Sequence, residues 1–151
     1  MTAYRLASRR YSSNSSEGAR LYGGRWNAAG TPVLYASSTI SLATLEVLVH
    51  HKTVPVDYQV IEIEIPHTLP IENVAREELP EGWPAEATAK ETAFRGTEWA
   101  GSLRTAVLCV PSAVIQVEYN YILNLLHPDF AAILFEVMEA EYIDTRLRAE
   151  G

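Results

Sequence analysis

The chain has 151 residues, with 12 Lys and Arg against 19 Asp and Glu, a formal net charge of −7 and a pI near 5.1. That length suits one domain, residues 1–151, with room for a core, and the acidic balance argues against direct, phosphate-driven nucleic-acid binding. The 48% hydrophobic and 21% charged content is globular, no apolar run is long enough to span a membrane, and the opening MTAYRLASRRYSS lacks the apolar core of a signal peptide, so the expected location is the cytoplasm.

Residues 4–7 read as a first strand, followed by a polar loop, 8–16, of the kind that stays mobile or closes over a ligand. Residues 17–22 make a helical turn that Gly23-Gly24 breaks. The run Gly23-Gly24-Arg25-Trp26-Asn27 sets an arginine behind two glycines, where backbone can approach a ligand closely and leave its amides unshielded. The planar fork of Arg25 suits the paired oxygens of a diphosphate. Arg5, Arg9, Arg10 and Arg20 add positive charge at this end, which could draw in a phosphorylated metabolite. For Arg9, Arg10 and Arg20, solvated surface positions are the simpler reading.

Thr31-Pro32 opens an extended segment, 33–36, that delivers Tyr35 to a strand end. A helix over 39–49 follows, capped by Ser37, Ser38 or Thr39. Leu42, Leu45 and Val49, broadened by Leu48, recur at helical spacing as a core-facing stripe. Glu46 borders that stripe, and it is the one formally charged side chain between Arg25 and Lys52. A carboxylate in such company is costly to leave unpaired. It is either tied to an arginine such as Arg25 for structure, or it is a working group. His50-His51-Lys52 complements the helix dipole, but adjacent histidines diverge on a helix and make no two-ligand metal face. No metal site is expected.

Residues 58–65 alternate, with Ile61, Ile63 and Ile65 on one face and Glu62 and Glu64 on the other, as a half-buried strand does. Pro66, Pro70, Pro80, Gly82 and Pro84 punctuate an acidic connection of loops and turns. Residues 85–94 are good helix formers, and a second helical piece runs from Gly96 toward Leu103. Two strands, 106–110 and 114–118, flank Pro111-Ser112, which sets Ser112 at a strand junction. The single cysteine, Cys109, reads as a buried strand position. Residues 120–130 form a turn-rich crossing in which His127 fixes a turn and Asn120 either does the same or serves as a polar supporting group, 133–137 a strand, and 141–147 a last strand carrying Asp144 and Arg146. Strands outnumber helices without strict alternation, which favours α+β.

The pieces GGRWN at 23–27, VLYASS at 33–38, LATLEVLVH at 42–50, GTEW at 96–99, VPSAVI at 110–115, NYILNLLHPDF at 120–130 and YIDTRL at 142–147 resemble, in order along nearly the whole chain, the RES family. These are the toxin halves of bacterial RES–Xre toxin–antitoxin pairs. The resemblance implies a mixed, antiparallel split β-sheet with flanking helices, similar to diphtheria-toxin-type ADP-ribosyltransferases. It implies action on NAD as substrate, by hydrolysis, phosphorolysis or ADP-ribosyl transfer to a protein, with inorganic phosphate a possible co-substrate and no metal. It also implies a helix-turn-helix, Xre-like antitoxin as partner. The family's functional residues fall on Arg25, Tyr35, Glu46 and Ser112. A departure is Leu125, where the family usually has proline.

Those side chains suit the chemistry. The leaving nicotinamide is already a cationic pyridinium and needs no general acid, so one carboxylate does what a glycosidase typically divides between two. Glu46 would hold the ribose hydroxyls and stabilise oxocarbenium-like charge. Tyr35 would stack on the nicotinamide or ribose, Arg25 with Gly24 beside it would hold the diphosphate, Ser112 would bond a ribose or phosphate oxygen, and Asn120 would support them. A second class of reading is a non-catalytic NAD-binding or antitoxin-docking module.

Overall fold

The computed structural model of the chain describes residues 1–139 and 142–150, and a seven-stranded sheet organises them. In chain order the elements are β1 (Thr2–Ser8), α1 (Glu17–Tyr22), β2 (Val33–Ser37), α2 (Ile40–His51), β3 (Tyr58–Glu64), β4 (Ile71–Asn73), α3 (Ala89–Ser102), β5 (Val107–Pro111), β6 (Tyr119–Asn124) and β7 (Leu134–Val137). The strand order is β4-β5-β6-β2-β1-β3-β7. The β4–β5 pair is parallel and the other neighbours are antiparallel. The fold is α+β, as the element pattern implied.

The sheet is nearly split. β1 follows β3 along its whole length, from Thr2↔Glu64 to Ser8↔Tyr58, and β2 follows β6 from Val33↔Asn124 to Ser37↔Asn120. Between β1 and β2 there is one register pair, Tyr4↔Ser37. A four-stranded and a three-stranded half therefore meet at that pair and diverge from it.

Side chains alternate across a sheet, and the packing on its two faces differs. One face carries a continuous core through both halves, including Ala3, Leu34, Ala36, Ile61, Ile63, Leu123 and Val107. On the other face the core is in two pieces. α3 closes one over the four-stranded half, with Trp99 and Ala100 against Trp26, Leu108, Val110 and Ile122. α2 closes the second over the three-stranded half, with Ala43 against Leu6, Val54 and Val60. Apolar packing thus fastens each half from behind and leaves a gap in front of the β1–β2 divergence.

Several local expectations are corrected. In α2 the buried residues are Leu42, Ala43 and Thr44, whereas Leu45 and Val49 are 38% and 60% exposed. The helix lies on β1 along the Ala43–Val47 line, so the expected stripe is turned partly outward. Its cap is Thr39, whose side chain accepts from the Leu42 amide at 3.1 Å. The two expected helical pieces before Leu103 are one helix, α3, preceded by a 3-10 turn over Glu86–Thr88. Gly96 does not break it. A Cβ there would lie 1.8 Å from the Trp26 carbonyl oxygen, so the missing side chain is what lets the Trp26 backbone dock against the helix.

The strand expected at 114–118 is a series of turns, and the strand is β6, from Tyr119. The Ser112 hydroxyl captures the Val114 and Ile115 amides, which takes them out of any ladder. β4 lies inside the proline-punctuated connection that read as loop. The tail is not a strand where described: Thr145–Leu147 is a 3-10 turn capped by Asp144, and residue 141, where the expected strand began, lies outside the described residues. His127 does fix a turn, since its Nδ1 accepts from the Asp129 amide at 3.0 Å. Leu125 uses what proline lacks: its N–H donates to the Pro32 carbonyl at 3.2 Å.

Candidate functional site

Two concavities meet in front of the split. The smaller, about 230 Å³, fills the wedge itself between Tyr4, Arg5 and Leu6 of β1 and residues 33–37 of β2, with Ser15, Ser16, Glu46 and Asn120 on its walls. The larger, about 960 Å³, runs along Gly23, Gly24, Arg25, Val49, His50, Tyr58, Pro84 and Glu86. Ala19, Tyr35 and Glu46 line both. The carboxylate singled out from sequence therefore stands at the junction.

Glu46 is held by one oxygen. Its Oε1 accepts from the Ser112 hydroxyl at 2.8 Å and from Asn120 Nδ2 at 2.6 Å. Among the described residues it has no cationic partner within 4.0 Å, so the structural pair with Arg25 is not formed. Its Oε2 takes no hydrogen bond from a described residue and is not one of the buried orphan atoms, so it stays accessible from the concavities Glu46 lines. Two such hydrogen bonds fix the direction of the carboxylate.

Ser112 is fully buried. Its one donor goes to Glu46 and both its lone pairs are taken by the Val114 and Ile115 amides. No capacity remains for a ribose or phosphate oxygen, so Ser112 bears on a ligand through Glu46. Asn120 likewise touches Glu46, and its Oδ1 accepts from the Ser37 hydroxyl at 2.7 Å.

Tyr35 lines both concavities and spends its hydroxyl on the protein. The hydroxyl donates to Asn27 Oδ1 at 2.5 Å and accepts from the Trp26 amide at 3.0 Å. Burial holds the phenol well above the usual tyrosine range, against the opposing pull of the Trp26 hydrogen bond and the Arg25 charge. Gly24 has a local reason as well: a Cβ there would meet the Tyr35 hydroxyl at 2.7 Å. Asn27, 1% exposed, returns its amide to the Ala19, Ala28 and Thr31 carbonyls. On the far side the loop rests on α3, where the Ala28 amide donates to Thr97 at 2.9 Å beside Gly96. The GTEW motif is thus the seat of the GGRWN loop, with Trp99 bonded to Thr105 in the core.

That seat presents Arg25. Its guanidinium lies 5.8 Å from the centroid of the Trp83 ring, and its Nη1 is buried without a hydrogen-bond partner among the described residues; so is Trp83 Nε1. Buried donors without acceptors are costly in a finished core and fit a site built for an outside acceptor. Arg5 was read from sequence only as one of a basic group, but it lines the wedge. It donates to the Ser15 carbonyl at 3.0 Å, and burial draws its guanidinium down to about 10, with Tyr58 opposing. Its place in the first strand gave no signal of this, because the wedge forms only when β1 and β2 diverge. Ser37 and Asn27 escaped for a similar reason: each acts through partners remote in sequence or on a loop. No His, Cys, Asp and Glu cluster fit for a metal occurs among the described residues, and no described helix is long and apolar enough to cross a membrane.

The comparisons with known proteins point one way. The profile of the RES domain matches residues 2–145. A protein of Photorhabdus laumondii named Toxin Res is 38% identical, over 97% of this chain and 97% of its own length. The Prs ADP-ribosylating toxin of a Sphingobium species is 38% identical over 88% of this chain and 85% of its own. Among solved structures, the crystal structure of the M. tuberculosis MbcT–MbcA toxin–antitoxin complex contains a chain that superposes with a TM-score of 0.70, covering 91% of this chain and 81% of that one at 17% identity.

Proposed function

The chain belongs to the RES domain family, and from that premise we propose that it is an enzymatic toxin that cleaves the nicotinamide–ribose bond of NAD. Water or inorganic phosphate is the acceptor, and loss of cellular NAD arrests growth. The observation that carries this reading is the state of Glu46: one oxygen locked by Ser112 and Asn120, the other accessible, and no cation within 4.0 Å among the described residues.

The geometry suits the bond that breaks. As the C1′–N bond of the ribose lengthens, the electron pair leaves with nicotinamide, which departs neutral without a proton. Positive charge gathers on the sugar, and a fixed carboxylate is the group that stabilises it. Because Glu46 is aimed before the substrate arrives, little reorganisation is needed as the charge develops. Arg25 lines the larger cleft, its Nη1 lacks an acceptor among the described residues, and diphosphate oxygens bound there would suit its guanidinium. Tyr35 lines both concavities, and its ring would give the nicotinamide-bearing ribose an apolar face. A nucleophile then bonds to C1′, water releasing its proton to solvent and phosphate attacking through an anionic oxygen, and its placement decides the product.

A second reading is ADP-ribosyl transfer to a protein. The Prs ADP-ribosylating toxin, to which the chain is 38% identical, favours it. In either case the toxin would act in the cytoplasm and be restrained by an Xre-like antitoxin, a partner proposed from the family.

Chromatography of NAD incubated with the antitoxin-free protein, with and without phosphate and with cell extract, separates the readings. Free ADP-ribose, or its phosphorylated form when phosphate is present, is expected. A label confined to one protein would replace that reading with the second. NAD that protects the protein from melting yet stays intact would mark a binding module and end both.

A further inference from the structure

Ser37 has no part in the chemistry just described, and it lies at the one place where the halves of the sheet are joined. It pairs with Tyr4 across the β1–β2 seam and with Asn120 across β2–β6. It is 4% exposed, and its hydroxyl is 2.7 Å from Asn120 Oδ1. Asn120 Nδ2 is in turn 2.6 Å from Glu46 Oε1.

The donors and acceptors along this chain have one consistent assignment. A carboxylate only accepts, so Asn120 must turn its NH₂ toward Glu46. Its carbonyl oxygen then faces Ser37, which must donate. A flipped amide would set oxygen against oxygen at Glu46. The carboxylate thus sets which way the amide turns, and the hydroxyl that donates to Oδ1 anchors the amide in that place, from a strand rather than from a loop. Rigid elements position a reacting group more narrowly than loops do.

We propose that Ser37 is a positioning residue for Glu46, acting through Asn120, so that the seam between the two half-sheets sets the direction of the carboxylate. For its kinetic consequences this rests on the NAD-cleaving reading above. For its geometry it does not. The Ser112 arm fixes the same oxygen from the other side, so losing Ser37 loosens the carboxylate without freeing it.

Two measurements on the whole chain test this. In nicotinamide release, Ser37→Ala should lower kcat about five- to tenfold, the scale of one neutral hydrogen bond. KM for NAD should change by less than about twofold, because the contact matters when charge develops rather than at binding. Asn120→Ala should cost at least as much. In that background Ser37→Ala should cost nothing further, as members of one relay do. Additive losses, or a rise in KM with kcat unchanged, would overturn the proposal.

The second measurement needs no turnover. The Asn120 side-chain amide, assigned by its absence in Asn120→Ala, should resonate as a strongly hydrogen-bonded NH₂ and move toward the free position in Ser37→Ala. An amide signal identical in parent and Ser37→Ala would overturn the relay. If the parent protein neither releases nicotinamide nor labels a protein, the NAD reading fails while the amide signal still decides this one.

Discussion

Each polar side chain at the junction has its hydrogen-bonding capacity assigned, and the exceptions are informative. Ser112, Asn120 and Ser37 are joined through Glu46 and Tyr35 is joined to Asn27, while Arg25 Nη1, Trp83 Nε1 and Glu46 Oε2 find no hydrogen-bond partner among the described residues. On the proposed reading the saturated groups are scaffold, and Arg25 and Glu46, which line the larger concavity, would face the ligand. Tyr35→Phe tests the scaffold. It leaves the Trp26 amide and Asn27 Oδ1 wanting, at a cost of about 1–3 kcal/mol, and loosens the loop that carries Arg25, so KM for NAD should rise more than kcat falls. The same hydroxyl gives an alkaline signature. Its folded-state pKa is raised, so its contribution to stability is whole below the unfolded tyrosine value and is lost as pH rises above it. Melts between about pH 10 and 12 should fall more steeply for the parent than for Tyr35→Phe; parallel slopes would mean the phenol is not held neutral by the fold. Arg25, Tyr35, Glu46 and Ser112 stood out in the sequence through a glycine pair, charge in an apolar run, strand positions and the resemblance to the RES family, and Asn120 followed as their support. Arg5, Ser37 and Asn27 did not, because their roles exist only once the wedge and the loop have formed.

The elements show how local regularity misleads. α2 has two apolar lines at helical spacing, and periodicity alone does not say which one is covered. Burial of Ala43 against β1 settles it, so Leu42→Ala should cost about 2–5 kcal/mol in a melt. Leu45→Lys or Val49→Lys should stay within about 0.5 kcal/mol of the parent. A collapse on either lysine would restore the stripe expected from sequence. Strand β6 was hidden because 114–118 carries the apolar alternation of a strand, while Ser112 holds two of its amides elsewhere. β4 was hidden because three residues are too few for a period. The bounds of α1 were legible because a glycine pair ends it: Gly23 has φ of +74°, which side-chain-bearing residues rarely adopt. In α3, Gly96→Ala adds a methyl where the Trp26 carbonyl already sits. It should lower the melting temperature by several degrees and displace the Arg25 loop, whereas Gly101→Ala, with open space around it, should be neutral or slightly stabilising.

At the scale of the molecule, the split sheet is what makes a site possible. One continuous apolar face ties the halves together from behind, two smaller cores hold α2 and α3 in front, and the single register pair Tyr4↔Ser37 leaves the wedge open. The element pattern announced an α+β class, but the opening between β1 and β2 depends on register, which sequence alone does not state. The comparison that most directly tests the proposed chemistry is nicotinamide release from NAD by the parent and by Glu46→Gln, at matched concentration and with both melts recorded. Glu46→Gln keeps the shape of the side chain and the Oε1 contacts while removing its charge. The parent is expected to release nicotinamide, and the variant to be slower on the order of 100- to 1,000-fold with a melting temperature within a few degrees. Equal release by the two proteins would contradict the claim that the Glu46 carboxylate drives cleavage.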